Sequence, residues 1–287
     1  MRRLIFAGVL AGLAPRLARA HGSEAHGWWS FDPWVWIPLA VAVTLYLRGL
    51  VVLRRKGVPM SVTRPPALAG FAGGCATLFA ALIWPLDALG ETSFAAHMAQ
   101  HMLLIAVAAP LLAIARPAPV LLAALPARVR RFNGALGPLY GLLRVLARPR
   151  VAFAVHGVLV WLWHAPLLFE LALRWRWVHV LEHAAFLGSA VLFWSAMQRA
   201  ARSGGEGCGT AVLLTLGTLM HTGLLGALLT FSPRLLYPEY EGRTALGLSA
   251  IEDQQLAGLL MWIPGSMVYL AAGLCFVAVW LRKPAMH

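Results

Sequence analysis

His97 and His101, and again His179 and His183, stand four residues apart in a chain of 287 residues. On a helix, residues at that spacing project from one face, one turn apart, and two imidazoles so placed can grip a single ion. His164 and His221 offer two further rings. The segment His179-Val180-Leu181-Glu182-His183 also spells H-x-x-E-H, the pattern in which two histidines bind zinc and the glutamate acts as general base. A hydrolase would need a third ligand and an open water position, with His97, His101 and Glu170 as candidates for the ligand. The role expected for Glu182 is instead to orient a ligand histidine through its second ring nitrogen, so no catalytic residue is assigned and no enzyme activity is expected.

Ligand softness bears on which metal these residues would take. Met98 and Met102 follow the first histidine pair, Met220 abuts His221, and Met261 lies further along the chain. Imidazole beside thioether suits Cu(I), with zinc as competitor, while two histidines on facing helices would also serve as axial ligands of a haem. Met98 and Met102 lie about 100° round the helix from their histidines, so filling a core gap is the competing role for them.

Positioning these side chains falls to a membrane protein. The chain is 60% hydrophobic and 12% charged, with mean hydropathy +0.72, values that place it among polytopic bilayer proteins. The net charge of +13 does not point to nucleic acid, because the basic residues gather in short loops between apolar runs. Cys75, Cys208 and Cys275 form no C-x-x-C, so no disulfide and no cysteine site are expected.

Seven apolar stretches predict seven membrane helices: Trp34 to Leu53, Ala67 to Pro85, Ala95 to Ala115, Val151 to Leu173, His179 to Met197, Thr210 to Phe231 and Gln254 to Leu281. The fold class is therefore all-α, a seven-transmembrane-helix bundle. Arginine and lysine concentrate in 48–66, 116–150, 198–209 and the tail after Leu281, whereas the intervening loops are acidic or mixed. The alternation predicts an outside N-terminus and a cytoplasmic C-terminus. Residues 1–20, with Arg2, Arg3, an apolar run and Ala18-Arg19-Ala20, resemble a signal peptide. Residues 21–33 form an outer leader carrying His21 and His26, and 34–281 the membrane domain. Leu136 to Leu146 either anchors the topology or lies along the inner surface, and Trp28, Trp29, Trp34 and Trp36 fit an interfacial belt.

At 1.5 Å rise per residue, His97, His101, His179 and His183 fall about 3–10 Å below the outer helix ends, and His164 and His221 can reach the same layer. An imidazole in hydrocarbon is costly, so six at one depth predict a shared polar centre, while His156, nearer the inner side, is expected to be structural. Pro166 should disturb its helix close to His164. In the outer loops, Tyr237 to Tyr240 and Glu252 to Gln255 are candidates for docking or for admitting metal, with Asp253 an alternative N-cap of the last helix.

At these residues the sequence resembles the seven-helix cytochrome c oxidase assembly factors of the CtaG type, associated with caa3-type oxidases. The matching blocks are His97 to Leu104 with Ala109-Pro110-Leu111-Leu112, Trp163-His164-Ala165-Pro166, His179 to His183 with Trp194, and His221 with Gly226. They continue with Tyr237-Pro238-Glu239-Tyr240, Glu252 to Gly258 and Met261 to Gly265, in order over residues 30 to 281. The resemblance implies a multi-pass protein of the bacterial inner membrane that helps mature a haem-copper oxidase, with the oxidase subunits as partners and copper as cargo. Its leader histidines are a departure that carries no weight in the resemblance.

Overall fold

The computed structural model describes residues 29–30, 32–57, 64–126, 137–242 and 246–282, so the signal peptide, His21 and His26 lie outside it. Every described element is helical, as a bilayer demands of a chain whose backbone polar groups must be satisfied internally. In order they are α1 (Pro33–Arg55), α2 (Pro65–Leu82), α3 (Leu86–Gly90), α4 (Phe94–Met102), a π-helical turn (Leu103–Ala108), α5 (Ala109–Ala115) and α6 (Ala118–Ala124). There follow α7 (Gly137–Leu146), α8 (Pro149–Trp163), α9 (Pro166–Arg174), α10 (Arg176–Ala200), α11 (Gly205–Thr230), a 3-10 turn (Pro238–Tyr240) and α12 (Ala250–Leu281).

Six of the expected spans appear among the described residues as helices long and apolar enough to cross a membrane: α1, α2 with α3, α4 to α5, α10, α11 and α12. The fourth, expected as one rod from Val151 to Leu173, is broken. Its helix α8 has 15 residues, a rise of about 22 Å against a hydrocarbon core of about 30 Å. Pro166 causes the break: lacking an N–H, it starts α9 at the first helical position and leaves His164 as the C-cap of α8. A seventh span is counted only if α7 and α8, which meet at 83°, are taken together. No residue of α7 is buried, which suits a helix lying flat on a surface.

The helices that carry the histidines form the main core. In it Phe94, Met98, Ile105, Phe169, Phe186, Phe193 and Trp194 pack with Tyr237, Tyr240, Met261 and Tyr269. A smaller cluster, with Tyr46 stacked on Phe71 at 3.6 Å, joins α1, α2 and α6. The π turn after α4 leaves the helix ladder out of its usual step, and Trp194 Nε1 donates to the Ile105 carbonyl inside it at 2.9 Å.

Helices α11 and α12 form the most extensive helix pair, and glycines let them approach. A Cβ on Gly258 would fall 2.5 Å from the Thr230 amide nitrogen and 2.6 Å from the Gly226 carbonyl. Small residues at such crossings allow backbone contact where lipid provides no hydrophobic drive. Gly258→Ala is expected to force the pair apart and lower stability by about 1–3 kcal/mol. Thermal unfolding in detergent would show this as a lower Tm, and an unchanged Tm would mean that the crossing tolerates separation.

Candidate metal centre

Each of the four orphan amides at the start of α4 is occupied. Ser93 donates to the Leu89 carbonyl at 2.9 Å, Phe94 and Ala95 donate to the Asp253 carboxylate at 2.6 and 3.1 Å, and Ala96 donates to Ser93 Oγ at 3.2 Å. Ser93 Oγ in turn donates to Asp253 at 2.9 Å. Asp253 is thus not the cap of its own helix. Ser249 and Glu252 close a capping box there, while Asp253 reaches across to pin α4 to α12. On the opposite flank, Gln100 donates to the Ala81 carbonyl at 2.8 Å and to Asp87 at 2.9 Å. His97 and His101 therefore stand on a helix fixed from two sides.

From α10, His179, Glu182 and His183 face them. The ring of His97 lies 5.3 Å from that of His179 and 6.0 Å from that of His183, and the ring of His101 lies 5.1 Å from His183. Ligand atoms of His97, His179, Glu182 and His183 all fall within 4.8 Å of one another. Glu182 sits among the rings, its Oε2 4.0 Å from His97 Nε2 and 3.9 Å from His101 Nε2. These distances exceed hydrogen-bond length, and neither carboxylate oxygen of Glu182 has a hydrogen-bond partner. The orienting role expected of Glu182 is not what the geometry presents. Its oxygens stand among the ligand atoms because residue 182 lies one turn-fraction from 179 and 183 on the same inward face.

The orienting partners come from elsewhere. Tyr240 Oη lies 3.0 Å from the Gly90 carbonyl and 3.2 Å from His97 Nδ1. A carbonyl can only accept, so the single hydroxyl proton goes to Gly90 and the oxygen accepts from His97 Nδ1–H. His164 Nδ1 lies 2.7 Å from the Val160 carbonyl and must likewise carry the proton. Both rings then turn the lone pair of Nε2 away from these partners, as a metal ligand requires. His164 joins the margin of the group, 6.2 Å from His101, carried there by the break before Pro166.

The loop expected to dock partners instead roofs the site. Tyr237 and Tyr240 are 2% and 1% exposed; they flank and end the 3-10 turn. Tyr237 donates to the His164 carbonyl at 2.7 Å, and burial first, then the Glu182 carboxylate, push its hydroxyl above the usual tyrosine range. Phe94 and Phe169 pack against both rings. Gln254 fastens the loop, accepting from the Leu236 amide at 2.6 Å and donating to the Arg234 carbonyl at 3.0 Å. Glu239 and Glu170 both pair with Arg174 on the exposed side, at 2.7 and 3.8 Å, which leaves Glu170 out of the ligand group.

His221 does not meet the other rings. Its ring stacks edge-on against Phe153 at 5.8 Å, and a Cβ on Gly157 would lie 3.3 Å from its Nε2. Depth from the helix end cannot tell the face a residue occupies, and residue 221 faces α8. Met98 belongs to the apolar core, while Met102 and Met261 line a cavity of about 10 Å³ with Ile105, Val160, Thr222, Gly265 and Tyr269. His156 bonds Ser189 at 3.0 Å and Tyr269 at 3.4 Å, a polar clamp between α8, α10 and α12.

Fold and site together define a multi-pass helical membrane protein with a histidine–glutamate group enclosed between its helices. The profile of the cytochrome c oxidase caa3 assembly factor family (Caa3_CtaG) matches residues 44–283, and the chain belongs to that family. All the candidate ligands lie within the matched stretch. Comparison with curated proteins and with solved structures found no match.

Proposed function

We propose that the protein serves oxidase assembly by holding copper in the group formed by His97, His101, His179, Glu182 and His183, with His164 at its margin, and passing it to a nascent oxidase subunit. The observation that carries this reading is the set of buried polar atoms without a hydrogen-bond partner: both nitrogens of His101, Nε2 of His164 and His183, and both oxygens of Glu182. Buried polar groups are nearly always satisfied. Burying this many polar atoms without hydrogen bonds is costly unless a cation supplies partners for the carboxylate oxygens and the unprotonated ring nitrogens.

Surplus ligands suit transfer. Two or three imidazoles satisfy Cu(I), so an acceptor's ligands can replace the remainder one at a time without release of a free ion. By the arginine distribution the group lies toward the outer face of the inner membrane. The thioethers of Met102 and Met261 sit in a cavity beside the group and are not needed for this reading. A haem would need a slot for its macrocycle between two imidazoles, whereas these rings already approach to 4.2–5.3 Å. The four-residue group also meets the ligand count of the zinc-hydrolase alternative, so metal identity separates the two readings.

His97→Ala and His101→Ala are expected to lower bound copper in detergent-purified protein by at least tenfold and to reduce caa3-type oxidase activity in membranes, with the protein still inserted. Elemental analysis under reducing conditions checks the first expectation. Stoichiometric zinc in place of copper, or normal oxidase activity in both variants, would overturn the proposal.

A further inference from the structure

At the end of the bundle opposite the histidines, two helices finish in arginine. The run from α4 to α5 and the helix α10 both start beside the imidazoles, and α5 packs against α10, with Ala113, Ala196 and Ala200 buried in the main core. Arg116 caps α5, Arg199 lies in the last turn of α10, and Arg202 stands two residues beyond it. The three are near enough to repel: burial first, then the charge of Arg116, hold the Arg202 guanidinium below the usual arginine range.

Cations at helix C-termini answer the helix dipole, and basic residues favour the cytoplasmic side. Neither rule asks for three guanidiniums together. Among the described residues the arginine ion pairs are those of Arg174 and Arg176, on the histidine side. Arg199 donates instead to the Ala147 carbonyl at 3.0 Å and Arg202 to Gln198 at 3.3 Å, which leaves most of the five N–H donors of each guanidinium for an anion. The basic segments 48–66, 116–150, 198–209 and the tail hold a single acid, Glu206. Arg116 adds a second sign of use. Its backbone is left-handed, φ 49° and ψ 56°, a conformation that glycine commonly takes at a helix end and that strains any other side chain.

Apolar surface adjoins the charge. The bond from Arg199 to Ala147 ties α10 to the end of α7, a helix that meets α8 at 83° and leaves Leu139, Leu142, Leu143 and Val145 exposed. We propose that Arg116, Arg199 and Arg202 form a headgroup site for an anionic phospholipid whose acyl chains lie along α7. Guanidinium pairs phosphate oxygens bidentately, and basic pockets between membrane helices hold such headgroups. Three positive charges match a lipid with two phosphates, a diphosphatidylglycerol, better than a single phosphodiester. The lipid would clamp together the two helices that carry the histidine pairs at their other ends. This site is independent of any metal.

The experiment uses the full-length protein in uncharged detergent, titrated with diphosphatidylglycerol, phosphatidylglycerol, phosphatidylcholine, inorganic phosphate or polyglutamate, with Tm as the readout. Diphosphatidylglycerol in large excess over its dissociation constant is expected to raise Tm by about 5–8 °C, phosphatidylglycerol by less, and the other three not at all. Arg116→Gly removes one charge and suits the left-handed backbone. Its lipid-free Tm should therefore stay level or rise while the lipid-induced shift falls to less than about half, a pair of changes that a merely structural arginine would not give. Arg199→Gln and Arg202→Gln should also shrink the shift, and Arg55→Gln, in the last turn of α1, should leave it whole.

A full shift in all three cluster variants, or an equal loss in Arg55→Gln, would overturn the site. Equal stabilisation by phosphate would assign the arginines to a free anion, and by polyglutamate to an acidic protein segment. Either result would overturn the lipid, as would an equal shift with phosphatidylcholine.

Discussion

Glu182→Leu is expected to make the metal-free protein more stable and the copper site about a thousandfold weaker. The first effect follows from burial: a carboxyl group with 0% exposure and no hydrogen bond to either oxygen carries an uncompensated desolvation penalty of about 1–3 kcal/mol, and leucine fills similar space without it. The second follows from charge. A carboxylate about 4 Å from a cation contributes about 4 kcal/mol at an effective dielectric constant of about 20, roughly three decades in dissociation constant. Thermal unfolding of chelator-treated protein, paired with competition for Cu(I), measures both quantities. Opposite signs are the mark of a residue kept for function at the expense of stability. A fall in both would make Glu182 a structural group, and unchanged copper affinity would remove it from the ligand set.

Asp253→Ala is expected to have the largest structural effect of any single polar substitution considered. It removes the acceptor for Ser93 Oγ and for the Phe94 and Ala95 amides, leaving buried donors at a helix start that water cannot reach. Charged acceptors at such positions contribute about 1.5–3 kcal/mol per bond before overlap, so a loss of about 3–5 kcal/mol is expected. Because His97 begins the turn that follows, copper affinity should fall as well. Asp253→Asn, which keeps one acceptor oxygen, should lie between. A Tm within about 2 °C of the unmodified protein for Asp253→Ala would show that α4 is held by packing alone.

The two effects point to a division of labour among the outer residues. Asp253, Gln254 and the roof tyrosines hold helices and loop in place around the pocket, and Glu182 with the histidines carries the unmet polarity inside it. Tyr240 belongs to both groups, since its hydroxyl is bonded to the Gly90 backbone and to His97 Nδ1. A loop that is roof and ligand support together explains why its side chains are buried although its sequence is as polar as that of a docking surface.

Much of this was legible in the residues alone. Apolar runs of membrane length fixed the helical class, and the i,i+4 pairs at 97/101 and 179/183 identified the helix faces whose imidazoles meet, because helix periodicity converts sequence spacing directly into position on a face. Facing is different. Whether His221 looks toward the cluster or toward Phe153, and whether Asp253 caps its own helix or α4, depends on how one helix is rotated against another, which packing of the glycine crossing, the π turn and the break at Pro166 decides together. The same holds for Tyr237 and Tyr240, which lie far from the histidines in sequence and reach them only when Gln254 ties their loop to α12. Local periodicity thus determined which residues share a face. Only the tertiary arrangement decided which faces look at each other, since that choice is made by contacts between separate helices and loops, from Gln254 with Leu236 to Asp253 with Ser93.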